Sequence, residues 1–184
     1  MSRWQRSKGA TTPVGARRAG SARPTAAKVR RPPATAWWVV ALVPLGMLWT
    51  LPNTLLGLLL GAAGWPFGAR LRWQRRELAL VVRDWPWGKG GAITLGNVIV
   101  HAGAQLDTPC QTYAQRAGRG VEPCISLAAH ERAHVYQYLL FGPLFLPLYL
   151  LCGGVSADNR FERAADRYAQ TGNGWWPWSR ATKS

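Results

Sequence analysis

No charged residue occurs from Ala36 to Gly64, and this stretch consists mostly of apolar side chains. It is long enough to cross a bilayer, because a transmembrane helix needs about 20 residues. Pro52 and Asn53 nevertheless form a turn signal near its middle, and each half alone is too short to cross about 30 Å of hydrocarbon. We therefore predict a membrane segment at residues 36–66 that forms either a single kinked span or a re-entrant hairpin.

Shorter hydrophobic patterns follow in residues 67–174, which we predict to form one α+β domain. Residues 69–74 alternate apolar and polar side chains, which is the period of a half-buried strand. Leu78–Val82 and Ile93–Val100 are apolar runs that contain β-branched residues, and each predicts a further strand. Glycine- and proline-rich turns separate these runs, so we expect a small antiparallel β-meander.

Two helices are predicted after the meander. Pro123 suits the first turn of a helix that we expect to run from about Cys124 to Phe141. A second helix is expected from about Asp158 to Gln170, with Asp158 as its N-cap. The apolar insertion 139–155 lies between them, and a stretch of about 17 residues cannot cross a bilayer twice. It must lie in the interface, re-enter shallowly or pack against the first hairpin.

Charge adds information about partners and topology. The chain has 23 Lys and Arg against 8 acidic residues, a formal net charge of +15, and 48% hydrophobic residues that include 11 Trp. A disordered nucleic-acid-binding tail would not carry so much apolar mass, so we expect membrane lipid as a partner and no specific nucleic acid. Residues 1–35 form a predicted disordered basic arm, and residues 175–184 form a Trp-rich tail that suits a membrane interface.

Basic residues flank the membrane segment on both sides, since arginines also occur at positions 70–76. Positive charge on both flanks favours the hairpin, with both ends and the following domain in the cytoplasm. Cys110 and Cys124 are then expected to be free thiols, whereas a periplasmic domain would allow a disulfide between them.

The pattern His130-Glu131-Arg132-Ala133-His134 carries the candidate chemistry. Helix positions i and i+4 share a face, so both imidazoles can coordinate one Zn²⁺. Glu131 lies beside them, where it can take a proton from a metal-bound water. The structural alternative is a pair of surface histidines on an ordinary helix.

A catalytic zinc needs a third protein ligand and an open position for water. Glu162 and Asp166 are again i and i+4 on the second predicted helix. Glu162 can ligate the metal, and Asp166 can accept the free N–H of a zinc-bound imidazole. The alternative is a solvated, charged helix face.

These motifs resemble those of a known class of enzymes. HExxH at 130–134 followed by ExxAD at 162–166 is similar to the gluzincin metallopeptidases, and most to their membrane-embedded heat-shock and CAAX-prenyl protease type. The chain also resembles small bacterial membrane proteins that combine HExxHxxQ with Gly-Pro-Leu-Phe and Asn-x-Phe-Glu. The resemblance implies a zincin-like domain in a protein of the bacterial inner membrane.

The same resemblance implies zinc ligands at His130, His134 and Glu162, with Glu131 as the catalytic base. It further implies that a peptide or protein substrate docks on the edge formed by the Ile93–Val100 strand, which agrees with the general use of sheet edges to bind extended peptides. A closed structural meander is the alternative for that strand.

Peptide hydrolysis needs a hydrogen-bond donor to the oxyanion, and the sequence does not choose among the candidates His101, Arg160, Arg163 and Tyr168. We expect Gln137 to have a packing role or to bond at the helix surface. Two other functions are considered besides a peptidase: a catalytically degenerate relative that serves as an interaction or assembly factor, and a basic membrane-surface module.

Overall fold

The computed structural model describes residues 37–88, 90–120 and 123–179. The predicted basic arm and the last five residues of the tail lie outside the described residues. In chain order the helices are α1 (Trp37–Trp49), α2 (Leu51–Ala63), α3 (Tyr113–Arg116), α4 (Leu127–Phe141), α5 (Phe145–Leu151) and α6 (Arg160–Thr171). The strands are β1 (Arg70–Gln74), β2 (Ala79–Arg83), β3 (Ala92–Leu95), β4 (Val98–His101), β5 (Pro109–Cys110) and β6 (Ile125–Ser126).

The main sheet has the strand order β1-β2-β4-β3. The β1/β2 and β3/β4 pairs are antiparallel, but β2 and β4 run parallel, with Leu80 opposite Val98. The predicted α+β class is therefore confirmed, while the prediction of an antiparallel meander is wrong. After β2 the chain does not form the neighbouring strand at once. It first forms β3 at the sheet edge, and β4 then lies between β2 and β3.

The single strand predicted at Ile93–Val100 is also wrong, because the run folds into the β3/β4 hairpin. Its two-residue loop is Gly96–Asn97, and Gly96 has φ 59°, which a two-residue hairpin loop requires and glycine adopts without strain. All four residues of β4 are buried, as is typical of a central strand, whereas β3 is only partly buried. The hairpin therefore leaves β3 at one edge of the sheet.

Two glycines let α2 pack closely on this sheet. A Cβ added to Gly57 would lie 2.7 Å from Val98 Cβ, and one added to Gly61 would lie 2.6 Å from Val82 Cγ2. The contact is apolar on the sheet side, where Val82 and Val98 form a core cluster with leucines of α2. The N-terminal apolar segment is thus packed on the domain through its small residues.

The break in the apolar segment falls at Thr50, slightly before the predicted Pro52–Asn53 turn. Pro52 is accommodated in the first turn of α2, where a missing N–H costs nothing, and Asn53 is buried and donates to Gly142 O at 2.9 Å. The helical pair Leu42–Trp49 and Leu51–Phe67 is bent by 67°. A broken span and a re-entrant loop both fit such a bend, so the hairpin stays a prediction.

One continuous helical run, Leu127–Leu151, is long and apolar enough to cross a membrane by length and composition. Its first part is α4, which packs between β3 and α6 and buries the face that carries both candidate histidines. A short 3₁₀ turn at Gly142–Leu144 then leads into α5.

The start of α6 differs from the prediction by one residue. Asn159, not Asp158, is the N-cap, since its side-chain oxygen accepts from Phe161 N at 2.9 Å. Asp158 instead forms an exposed ion pair with Arg119. The described part of the Trp-rich tail packs on the domain: Trp176 stacks on Phe141 with ring centroids 5.6 Å apart.

Candidate metal centre

Helices α4 and α6 bring His130, His134 and Glu162 together. Ser126 caps α4, accepting from Ala129 N at 3.2 Å, and this fixes where the helix begins. The i, i+4 spacing then places both imidazoles on the face that meets α6. The three side chains are buried and offer one ligand atom each within a single small cluster.

The spacing of these three atoms can be compared with that of a zinc coordination shell. The two histidine Nε2 atoms lie 3.2 Å apart, and Glu162 Oε2 lies 3.1 Å from Nε2 of His130 and 3.3 Å from Nε2 of His134. Ligands bonded to zinc at about 2.0–2.1 Å in a tetrahedron are about 3.3 Å from one another. The triangle therefore has the dimensions of one face of such a tetrahedron.

The partners of the outer ring nitrogens fix the tautomers of both histidines. His130 Nδ1 faces Asp166 Oδ1 at 2.9 Å, and His134 Nδ1 faces Gln137 Oε1 at 2.8 Å. Both partners are acceptors, so both Nδ1 atoms carry the proton, and in the neutral imidazoles both Nε2 atoms present lone pairs to the cluster.

Glu162 Oε2 completes a set of three converging lone pairs. It is buried, and as long as both imidazoles are neutral it has no hydrogen-bond donor, because neither neighbouring Nε2 then carries a proton. Three buried lone pairs at about 3 Å repel one another unless a cation lies among them. The donor set, two imidazoles and a carboxylate, is one that suits zinc.

The electrostatics of the cluster indicate the same need for positive charge. Burial opposes the imidazolium form, yet the hydrogen bonds of His130 with Asp166 and Glu162 outweigh it and raise the pKa of His130 to about 10. Burial would raise the pKa of Glu162, but the neighbouring His134 and His130 lower it well below its usual range. A proton or a metal ion can supply the charge, and the two compete for the same lone pairs.

The other oxygen of Glu162 is held by a residue that the sequence analysis did not identify. Tyr149, in α5, donates its hydroxyl to Glu162 Oε1. Its backbone carbonyl accepts from Asn159 Nδ2 at 3.0 Å, which ties α5 to the start of α6. The apolar insertion therefore supplies a polar group that orients Glu162, and nothing in the local pattern around Tyr149 marks it for that role.

The Glu131 carboxylate lies next to the candidate ligand His130 and faces β3. It is buried, and its Oε2 accepts from Thr94 Oγ1 at 2.6 Å. Thr94 belongs to β3, which pairs only with β4 among the described strands. The carboxylate thus lies between the candidate metal ligands and a strand with one unpaired edge.

A small cleft opens beside Glu131 and His130. Ala92 at the start of β3 lines one part of it, and Tyr113 of α3 lines another. The Tyr113 ring stacks on His130 with ring centroids 5.9 Å apart, and burial raises the pKa of its hydroxyl. The tyrosine therefore keeps its proton at neutral pH and can act as a hydrogen-bond donor in the cleft.

The four oxyanion-donor candidates that the sequence offers do not line the cleft beside Glu131. His101 is buried with its ring nitrogens against two carbonyl oxygens, Gly91 O at 3.1 Å and Gln105 O at 2.9 Å. Tyr168 packs edge-on against Tyr136. Arg160 and Arg163 have exposed side chains. All three cysteines of the chain are free thiols.

Comparison with known proteins adds no further constraint. No protein-family model matches the chain, and no curated protein or solved structure matches it.

Proposed function

We propose that this protein is a membrane-associated zinc metallopeptidase of gluzincin type. The observation that carries the proposal is the buried triangle of His130, His134 and Glu162, in which three lone pairs are spaced like one face of a zinc tetrahedron. A carboxylate, Glu131, lies on the same helix beside an open cleft. This combination is what hydrolysis by an activated water requires.

Zinc held by these residues would polarise a peptide carbonyl and make water in the open position more acidic. Glu131 is the base: Thr94 occupies its Oε2, which leaves Oε1 to accept a proton from the attacking water and to pass it to the leaving amine. Asp166 and Gln137 keep the imidazole lone pairs directed at the cluster throughout.

The substrate in this proposal is an extended peptide added to the free edge of β3. Main-chain hydrogen bonds along β3 would hold the peptide past Thr94, and therefore past Glu131. Tyr113 lines the same cleft and is our candidate for the donor that stabilises the oxyanion. This places binding, base and donor around one opening.

Membrane association is the second part of the proposal. Large apolar side chains on α1, α2 and α5 are between 62% and 83% exposed, namely Leu45, Leu48, Leu59, Leu150 and Leu151. Exposed apolar surface of this extent is typical of a lipid-contacting face. The arginines at positions 70–76 follow the short 3₁₀ turn after α2 and favour contact with anionic headgroups on the cytoplasmic side.

The test uses the full chain purified in detergent, with metal content and casein hydrolysis measured side by side. We expect about one zinc per chain in the wild type and in Glu131→Gln, loss of zinc in Glu162→Ala, and hydrolysis only in the wild type. Asp158→Asn, which changes an exposed acid paired with Arg119, is the control and should match the wild type in zinc content and hydrolysis. A wild-type protein that binds no zinc would reject the proposal.

The same experiment separates the peptidase from the non-catalytic alternative. Zinc binding by the wild type, with hydrolysis no greater than in Glu131→Gln across a range of peptides, would support an interaction or assembly factor with a retained metal site. Flotation with vesicles that contain anionic lipid tests the membrane part, and failure to float would remove that part alone.

A further inference from the structure

Gln137 makes three hydrogen bonds to three separate parts of the chain, although it is completely buried. Its Oε1 accepts from His134 Nδ1 at 2.8 Å. Its Nε2 donates to Phe161 O of α6 at 3.2 Å and to Trp175 O of the C-terminal tail at 2.9 Å. The side chain thus links a candidate metal ligand with the tail.

The two carbonyl oxygens determine which way the amide faces. A carbonyl oxygen can only accept, so both must be met by the NH₂ group of Gln137, and its oxygen is left to face His134. His134 must then carry its proton on Nδ1 and direct the Nε2 lone pair at the cluster. If Trp175 O were absent, Phe161 O would be the remaining acceptor, and one of the two amide hydrogens of Gln137 would lose its partner.

The tail is docked so that Trp175 O reaches this position. The Trp176 ring stacks on Phe141, and the Trp178 ring meets Phe161 edge-on with centroids 5.8 Å apart. Arg167 Nε donates to Gly174 O at 3.1 Å. Aromatic packing on α4 and α6 therefore holds the backbone carbonyl of Trp175 in the position where it accepts from Gln137 Nε2.

We infer that Gln137 is a positioning residue for His134 and that the described part of the tail, residues 175–179, is a part of the metal site rather than a separate appendage. The inference rests on the proposed metal site. It assigns the tryptophan-rich tail a task that its composition does not suggest, because the contact that matters is a backbone carbonyl.

The first experiment compares Gln137→Glu with Gln137→Met in the full chain. The glutamate keeps an oxygen for His134 but loses both donations, whereas the methionine loses all three bonds. We expect both variants to melt at lower temperature than the wild type, but only Gln137→Met to bind zinc about 10–100-fold more weakly. Equal zinc affinity in the two variants would overturn the positioning role, since loss of packing alone affects both alike.

The second experiment tests the tail by a double-mutant cycle on zinc affinity. Truncation after Gly174 removes Trp175 O, and truncation after Ser179 is the control that keeps residues 173–179. Truncation after Gly174 should weaken zinc binding. Combining it with Gln137→Met should weaken binding little further, because both changes act through one chain of hydrogen bonds. Additive losses would overturn the role of the tail. Absence of zinc in the wild type would instead reject the metal site itself.

Discussion

The substitution Asp166→Asn should weaken metal binding without unfolding the protein, because it leaves one hydrogen-bond acceptor where the aspartate has two. Asp166 uses both oxygens: Oδ1 accepts from His130 Nδ1 at 2.9 Å, and Oδ2 accepts from the backbone N–H of Tyr113 at 2.8 Å. Asparagine offers one acceptor oxygen and one NH₂ group, so one of the two buried donors must face another donor.

An unpaired buried donor costs about 1–3 kcal/mol, which corresponds to about 5- to 150-fold in an equilibrium constant. If His130 loses its acceptor, zinc affinity falls, because the tautomer that directs the Nε2 lone pair at the cluster is no longer favoured. If Tyr113 loses its acceptor, the cost falls on the stability of the α3 region. Zinc affinity and the melting temperature of the metal-free protein must therefore be measured together.

The assay is competition for zinc with a chromophoric chelator at fixed pH and salt. Asp158→Asn is the matched control, because it removes the same charge from an exposed ion pair near the start of α6. We expect Asp166→Asn to bind about 10–100-fold more weakly than the wild type and the control. Wild-type zinc affinity together with a wild-type melting temperature in Asp166→Asn, or an equal loss of affinity in Asp158→Asn, would refute the reasoning from hydrogen-bond partners.

Three other predictions concern separate parts of the molecule. Tyr149→Phe removes the hydroxyl that donates to Glu162 and should lower zinc affinity about tenfold while the fold is kept; chelator competition that shows no change would contradict this. Gly57→Ala should lower the free energy of unfolding by about 1–3 kcal/mol, because the added Cβ would lie 2.7 Å from a side-chain carbon of β4. Gly91→Ala, where an added Cβ meets nothing within 4 Å, is the control in the same denaturant titration. Cys124 is exposed and should react with a membrane-impermeant maleimide only after cell lysis if the domain is cytoplasmic; labelling in intact cells would place the domain outside.

The choice of Cys124 for that labelling experiment follows from the environment of the other candidate. Cys110 is half-buried, and burial raises the pKa of its thiol to about 11. Its thiolate fraction at neutral pH is therefore small, and slow labelling would say nothing about the side of the membrane on which it lies.

Local periodicity explains which parts of the site could be predicted from sequence. The spacing of His130 and His134 within one helix, and of Glu162 and Asp166 within another, fixes a shared face whatever the tertiary structure. Only the meeting of the two faces was left to the fold, and α4 and α6 do pack against each other.

The residues that the sequence analysis missed are those whose roles depend on contacts between distant segments. Thr94 reaches Glu131 from a sheet edge that exists only because the Ile93–Val100 run folds into a hairpin. For Gln137 the sequence predicts only packing or a bond at the helix surface, because its partners are the backbone carbonyls of Phe161 and Trp175, which are far along the chain. A backbone partner leaves no mark in the sequence.

The mixed sheet was missed for a related reason. Strand patterns report burial and period, but they do not report which neighbour a strand chooses. The four buried residues of β4 required a central position, and a central position next to β2 could be reached only by passing β3 to the edge. The burial of β4 was thus a signal in the sequence, but the glycine that splits the run from Ile93 to Val100 was not recognised as its boundary.

The apolar insertion connects the two parts of the proposed function. Its helix α5 directs Tyr149 inward to Glu162, while Leu150 and Leu151 on the same helix are 68% and 83% exposed. If the exposed face of α5 lies against lipid, only the width of one helix, about 10 Å, separates the candidate metal centre from the bilayer. A peptide that reaches the cleft would then have to lie close to the membrane surface, and the selection of substrates would depend on their distance from the membrane as well as on their side chains.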